Sequence, residues 1–348
     1  MERRDFCRFV GVCGIAACTG GLTGCARLLD WSETSRGEGV VHRTFGAAEP
    51  TPTAGATATA DATGSAEATE PRAPAEPTPQ PTPDLAVFTG DDPAANVRAA
   101  VEALGGMGAF VKRGQTVAIK PNMLTARAPE YAVTTNPDVV AALVTLAFEA
   151  GARDVVVFDR PTAPPRNVYE VSGIADAVKS AGGRMKILYD RDFERIEIPE
   201  GRVLTSWPFA VPAFDADVFI NVPIAKTHGL AGLTMSIKNL MGIMGSTRGL
   251  IHQDFSQKIV DVNTLVRPHL VVLDAYRILT AHGPSGGNLS DVKQTRQVII
   301  GTNQASVDAY GTTLFGMKPT DLTYLKVAGA RGIGEIDLEK LLIEKGVA

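Results

Sequence analysis

Apolar and polar positions change their pattern near residue 85. From Leu85 onward, short apolar runs alternate with longer stretches in which apolar residues recur every three or four positions. The short runs read as strands and the longer spacing as helices packed on one side. Strands are expected at Leu85–Thr89, Thr116–Lys120, Asp154–Asp159, Met185–Tyr189, Val218–Val222, Leu270–Leu273 and Gln297–Ile300. Helices are expected at Pro93–Leu104, Val168–Ala181, Ala231–Met241, Phe255–Leu265, Ser306–Phe315, Asp321–Ala328 and Asp337–Glu344, and from Asn136-Pro137 to about Ala150. Asn136 is placed to cap that last helix and Gly151 to stop it. The Val-rich run Asp154–Asp159 reads as a strand buried on both faces. Strands alternating with helices predict an α/β fold, a mostly parallel, Rossmann-like sheet with helices on both faces.

Upstream the pattern is absent. From about Ala47 to Pro83 the chain is mostly Ala, Thr, Pro and Glu, ending in the proline-dense run Pro71–Pro83. Proline removes backbone donors, and this stretch has no apolar set to bury, so it reads as a disordered tether. The first residues carry Arg3-Arg4 with Phe6 and Arg8, then an apolar Gly/Ala-rich stretch from Phe9 to Gly24, then Leu22-Thr23-Gly24-Cys25. The paired arginines resemble a twin-arginine export signal, and the second motif resembles the lipobox of bacterial lipoproteins. The stretch is too short to span a bilayer permanently. The expected division is a signal peptide at 1–24, a lipid anchor on Cys25 with a disordered linker to 84, and an α/β domain at 85–348. The expected location is the extracytoplasmic face of a membrane, held by acyl chains on Cys25.

Composition narrows the functional classes. The net charge of −4 and the absence of a Lys/Arg run give no basis for nucleic-acid binding, and aromatics make up only 6%. The four cysteines are Cys7, Cys13, Cys18 and Cys25. No thiol follows Cys25, which rules out a disulfide, a thiolate zinc site or a cysteine-ligated iron–sulfur cluster in the folded region. The chain has no G-x-x-x-x-G-K-[ST], G-x-S-x-G or H-E-x-x-H motif.

Ligands of open parallel sheets sit at the carboxyl ends of strands. Lys120-Pro121-Asn122, Asp159, Asn221 with the following Lys226-Thr227-His228, and Asp274 all fall at such ends. The densest set lies between Asn221 and Asp254, where Lys226, Thr227, His228, Thr234, Lys238, Asn239, Arg248 and His252 are interleaved with glycines, Gly242 among them. No acidic residue occurs between Asp217 and Asp254. Exposed backbone N–H groups and lysines together favour an anion. If Ala231–Met241 is helical, Leu233, Ile237, Leu240, Met241 and Met244 form its apolar face, and Thr234 and Lys238 lie one turn apart. A divalent metal could be held through His228, His252, Asp254, Asp159 or Asp274, with Asp159 and Asp274 the candidate ligands at strand ends. Gly283–Gly287 reads as a turn or flexible lid.

Ile119-Lys120-Pro121-Asn122, Thr135-Asn136-Pro137, Asn221-Val222-Pro223-Ile224-Ala225-Lys226-Thr227-His228 and Lys238-Asn239-Leu240-Met241-Gly242 resemble the Domain of Unknown Function 362 family. Asp261, Asp274 and Val307-Asp308-Ala309 fit the same resemblance, which covers roughly Leu85 to Gly316. Members of that family often carry a ferredoxin-like iron–sulfur module, and this chain departs from them in lacking the cysteines for one.

The expected function is capture of a small anionic ligand in a cationic cleft. Lys120, Asn122, Asn221, Lys226, Thr227, Thr234, Lys238, Asn239 and Gly242 would form the site, with His228 or His252 as general acid or base. The alternatives are a non-catalytic solute- or metal-binding lipoprotein and an accessory factor for exported redox enzymes, which would act on a protein partner.

Overall fold

The computed structural model describes residues 40–45 and 81–348. The signal peptide expected at 1–24, the expected lipidation site Cys25 and the proline-rich stretch from 46 to 80 lie outside the described residues. The strands are β1 Leu85–Thr89, β2 Thr116–Pro121, β3 Asp154–Val157, β4 Arg184–Met185, β5 Phe193–Glu197, β6 Ser206–Ala210, β7 Val218–Val222, β8 Ile224–His228, β9 Gly232–Thr234, β10 Leu270–Leu279, β11 Val292–Gly301 and β12 Ile343–Val347. The helices are α1 Pro93–Ala103, α2 Pro137–Glu149, α3 Pro165–Val171, α4 Ile174–Ser180, α5 Pro212–Asp215, α6 Ser236–Asn239, α7 Phe255–Leu265, α8 Gln304–Thr313 and α9 Thr323–Ala330. None of these helices is long and apolar enough to cross a membrane.

The main sheet runs β12-β1-β11-β10-β7-β2-β3-β4. The block β10-β7-β2-β3-β4 is parallel throughout, whereas β11 is antiparallel to both β1 and β10. Helices cover both faces, as the sequence pattern predicts. Alternating strand residues divide the interior. Val117, Ile119, Val155, Val157, Ile220 and Val272 face one apolar cluster with α1, α2 and α4. Ala118, Val156, Phe219, Leu273 and Ile299 face the other, with α7, α8 and α9. Burial on both faces explains why these strands read as unbroken Val/Ile/Leu runs. Asn136 caps α2 by accepting the Asp138 N–H at 3.1 Å, with Pro137 at the first helical position.

Several expectations are corrected. Ala231–Met241 is not one helix. Gly232–Thr234 pairs antiparallel with β8, placing Thr234 opposite Lys226, and only Ser236–Asn239 is α-helical. The Asp308 carboxylate accepts the Ser236 and Ile237 N–H groups and so fixes where that short helix starts. The expected apolar residues are all buried nonetheless. Asp337–Glu344 forms a 3-10 turn at Leu338–Lys340 and then β12, because pairing with the free edge of β1 outweighs helix propensity. Val168–Ala181 is split into α3 and α4 by Gly173 at φ +73°, a left-handed value that favours glycine. Of the strand expected at Met185–Tyr189 only Met185 is extended in the sheet, joined there by Arg184 as β4.

Residues 40–45, expected within the 25–84 linker segment, lie on the domain. Val41 bridges Ile196 in parallel, Arg43 pairs with Glu194 and Asp215, and Phe45 packs edge-on against Phe214 and Phe219 at 5.2 and 5.6 Å.

On α7, buried Asp261 accepts the N–H groups of Arg202, Val203 and Leu204 at 2.9–3.0 Å and pairs with the nearly buried Arg331. Removing its charge strands a guanidinium in the interior, which costs about 3–5 kcal/mol. Asp261→Asn is therefore expected to lower the urea-unfolding free energy by that amount with an unchanged slope. A loss under about 1 kcal/mol, the value of a surface pair, would contradict this account.

Candidate functional site

From β2 the chain passes through α2 to β3 and then to β4 on one side, and it returns as β7 on the other side of β2. The winding direction thus reverses between β2 and β7, which leaves a crevice beyond the strand ends. A cavity of about 540 Å³ opens there. Lys120 and Asn122 reach it from the end of β2, Asp159 and Arg160 from the end of β3, His228 and Thr234 from β8 and β9, and Lys238 and Asn239 from α6. The turns after α6 add Met241, Gly242, Arg248 and His252, and Pro284 and Ser285 close the rim.

Other expected site residues lie elsewhere. Asn221 and Lys226 are fully buried behind the cavity wall. Thr227 does not line the cavity either; its hydroxyl accepts the Gly283 N–H at 3.2 Å and so holds the rim loop. Asp274 accepts the N–H groups of Asn136 and Tyr276 at 2.7 and 3.0 Å, which makes it a structural cap of the 136 turn. Burial pushes its carboxyl up to about 6. Asp159 is also committed, to the Lys120 ammonium at 2.9 Å and to the N–H groups of Met123 and Arg160. Among the described residues no three His, Cys, Asp or Glu side chains gather as metal ligands. Asp159 and Asp274, each named as a candidate metal ligand, are thus both engaged by protein donors.

The wall behind the cavity is a connected polar network. Lys120 Nζ donates to Asp159, to Asn239 Oδ1 at 3.0 Å and to the Pro121 carbonyl at 2.9 Å. Lys226 Nζ donates to Asn122 Oδ1 at 3.0 Å and to the Val133 carbonyl at 2.6 Å. Asn122 and Asn239 are themselves bonded at 3.0 Å, and Asn239 donates to Asn221 Oδ1 at 2.8 Å. Asn221 reaches Gln304, and Gln304 reaches Asn263. Desolvation pulls both lysines below the usual ammonium range, Lys226 furthest, since Lys238 repels it and it lacks a carboxylate of its own.

Lys238 differs from these two. Its side chain is only 9% exposed, yet its sole polar contact is the Met241 thioether at 3.7 Å. Burial, and then the charges of Arg248 and Lys120, bring its ammonium down to about 7. Two more buried polar atoms of the same lining have no partner, Thr234 Oγ1 and His252 Nε2. Arg248 adds a permanent cation, tied only to the Met241 carbonyl at 3.1 Å.

Hydrogen bonds fix the histidine tautomers. His228 Nδ1 accepts the N–H groups of Leu230 and Ala231 at 3.1 and 3.2 Å, so in the neutral ring Nε2 carries the proton. Burial, then the Lys238 charge, pushes His228 down to about 3, which keeps that ring neutral. His252 Nδ1 faces the Gly249 carbonyl at 3.2 Å; a carbonyl only accepts, so Nδ1 bears the proton and Nε2 a lone pair. The two rings stack at 5.4 Å, and His252 stacks on Phe255 at 5.7 Å. One imidazole thus offers a donor and the other an acceptor. Of the two histidines named as candidate acid or base, His252 presents a free ring lone pair and His228 a neutral N–H.

The chain matches the family described as Domain of unknown function (DUF362) over residues 117–313, more than half its length. The protein belongs to the DUF362 family. A relative of the same chain is a thylakoid-associated protein of Synechocystis sp., 32% identical over 212 residues. That alignment covers 57% of this chain and 63% of the relative, so the chain spans under two thirds of that protein's length. Among solved structures the chain is similar to the lactate racemase apoprotein of Thermoanaerobacterium thermosaccharolyticum, at TM-score 0.45 and 12% identity over 66% of this chain and 56% of that one. A Thermotoga maritima protein matches at TM-score 0.31 and 9% identity, over 53% of this chain and 51% of that one. The DUF362 match takes in every cavity residue named above.

Arg160 and Met241 were not singled out from sequence as site residues. Arg160 directly follows Asp159 at a strand end, which was the available signal. Arg248 stood inside the acid-free segment and is now the cavity's fixed charge. Gly242 packs its backbone against the Lys120–Asp159 pair, and a Cβ there would overlap Asp159 Oδ1 and Lys120 Nζ. Gly242→Ala is expected to cost about 1–3 kcal/mol, the usual price of overpacking. Thermal unfolding measures it, and an unchanged midpoint would mean that the pair is not held as described.

Proposed function

We infer that the protein binds a small anion in this cavity, held by Lys238 and Arg248, and that His252 accepts a proton from the bound molecule. The observation that carries this reading is the convergence of buried polar groups that lack an oxygen or nitrogen partner. Lys238 Nζ, Thr234 Oγ1 and His252 Nε2 line one cavity whose carboxylate, Asp159, is already committed. Buried polar groups without partners cost about 1–3 kcal/mol each, so their clustering supports a ligand that satisfies them together. His228 supplies a neutral donor to an acceptor atom of that ligand.

Inorganic sulfate is a suitable probe because its own charge is constant near neutrality. An anion beside Lys238 favours the charged amine, so binding above pH 7 must take up a proton. Titration calorimetry is expected to show sulfate affinity falling between pH 6 and 8, as Lys238 loses its proton near 7. Lys238→Met should weaken binding at pH 6 by about tenfold or more, the value of a charge-assisted hydrogen bond, and should abolish the pH slope. Equal affinity at both pH values in the unmodified protein would overturn the reading.

The reading also places the domain at a membrane surface outside the cytoplasm, anchored through Cys25. Arg3-Arg4 and Leu22-Thr23-Gly24-Cys25 support this, and the name of the thylakoid-associated relative agrees with membrane association. In a bacterial host the full chain should incorporate radiolabelled palmitate and sediment with membranes, and Cys25→Ser should lose both properties. Label retained by Cys25→Ser would exclude lipidation at that residue.

A further inference from the structure

Three lysines crowd the crevice, and two are fully engaged with oxygen acceptors. Lys120 Nζ has three acceptors and Lys226 Nζ has two. Lys238 Nζ has none beyond a thioether, although it is buried and lines the cavity. It lies over the Phe255 ring at 5.9 Å, and that ring in turn stacks on His252. An amine so placed keeps its lone pair available when unprotonated, since no protein carboxylate holds it as an ion.

We propose that Lys238 is an amine nucleophile that forms an imine with a small anionic carbonyl compound, a 2-oxo acid or an anionic aldehyde, bound in this cavity. The proposal rests on the anion-binding reading above and names its ligand class. Arg248 and Lys238 line the same cavity, and the Arg248 charge opposes protonation of Lys238. A ligand whose carboxylate pairs with Arg248 would hold its adjacent carbonyl carbon within the cavity that Lys238 lines. A desolvated lysine beside a second cation is a recognised way to make a nucleophilic amine near neutral pH.

The step balances without an oxidant or reductant. The Nζ lone pair forms a C–N bond while the carbonyl π pair moves to oxygen, which is met by the His228 Nε2–H. His252 Nε2 takes a proton from the attacking nitrogen and returns it to the carbinolamine oxygen. His252 relays the second amine proton in the same way as that oxygen departs as water, and a C=N bond remains. The charged or titratable groups around Lys238 are Lys120 from β2, Asp159 and Arg160 after β3, Lys226 and His228 from β8, Arg248 and His252 from the following turn, and Asp308 from α8 beneath α6. Only Asp159 and Asp308 are acidic, and both are bonded elsewhere.

The test is reductive trapping on the unmodified protein. Pyruvate or glyoxylate with sodium cyanoborohydride, followed by peptide mass spectrometry, should modify Lys238 at least tenfold faster than the exposed Lys112 and Lys293. The rate should rise with pH through about 7, the range over which sulfate affinity falls, and sulfate should compete. Lys238→Arg should remove the fast adduct and leave the slow ones. Absence of an adduct at Lys238 with both carbonyls, or a rate equal to that of the exposed lysines, overturns the proposal. If sulfate still binds in that case, the anion site survives and only the imine falls; if sulfate also fails to bind, the anion reading falls with it.

Discussion

Lys120 Nζ has no contact with solvent, and an ammonium taken out of water must be given back its oxygens. Three protein groups do so: a carboxylate, a side-chain amide and a backbone carbonyl. The Asp159 carboxylate comes from the neighbouring parallel strand and the Asn239 amide from α6, so satisfying one charge ties β2, β3 and α6 into a fixed arrangement. Gly242 lets the next turn of backbone pass over the pair without a clash. Asn122, Asp159, Lys238 and Asn239 open into the cavity from the elements joined here.

The same constraint sorts the cationic side chains by role. Lys120 and Lys226 are buried and bonded, so their charge is spent within the protein. Lys238 sits on the same short helix as Asn239, one residue away, yet meets no oxygen. The network therefore holds the backbone of α6 rigidly while leaving one ammonium uncompensated. The stacked imidazoles follow a similar logic. Backbone groups on their Nδ1 atoms set opposite tautomers, so a donor and a lone pair sit side by side.

Much of this was legible in the residue pattern. The parallel core, the Asn136 cap and the strand-end positions of Lys120, Asn122 and Asp159 follow from local sequence, because each depends on burial or on capping within a few residues. Reading β8, β9 and β12 was harder. Ile224–His228 is short and half polar, and its pairing with β9 and β10 is decided by tertiary contacts. Ala231–Met241 carries helical spacing that a turn of strand and the Asp308 cap override. Lys226 looked like a ligand residue because it is a lysine at a strand end. Its commitment to Asn122 and to the Val133 carbonyl, 104 and 93 residues away in sequence, is visible only in three dimensions.

Helix α8 shows how far the site's support extends. Gln304 and Asp308 are four residues apart and so lie on one helical face. Gln304 accepts from Asn221 at the end of β7 and donates to Asn263 of α7, while Asp308 caps the start of α6. Asp308 is fully buried, and burial pushes its carboxyl up to about 7; two backbone N–H groups at 2.6 and 3.0 Å oppose that rise. No lysine or arginine pairs with it among the described residues, so it acts on the site through the backbone of α6 and not through charge neutralisation. The DUF362 match ends at residue 313, where α8 ends, and so includes both residues, while β1, α1 and β12 fall outside it. Those outer elements cover an edge of the sheet beyond β11, and the part shared with the family is the part that sets the position of Lys238.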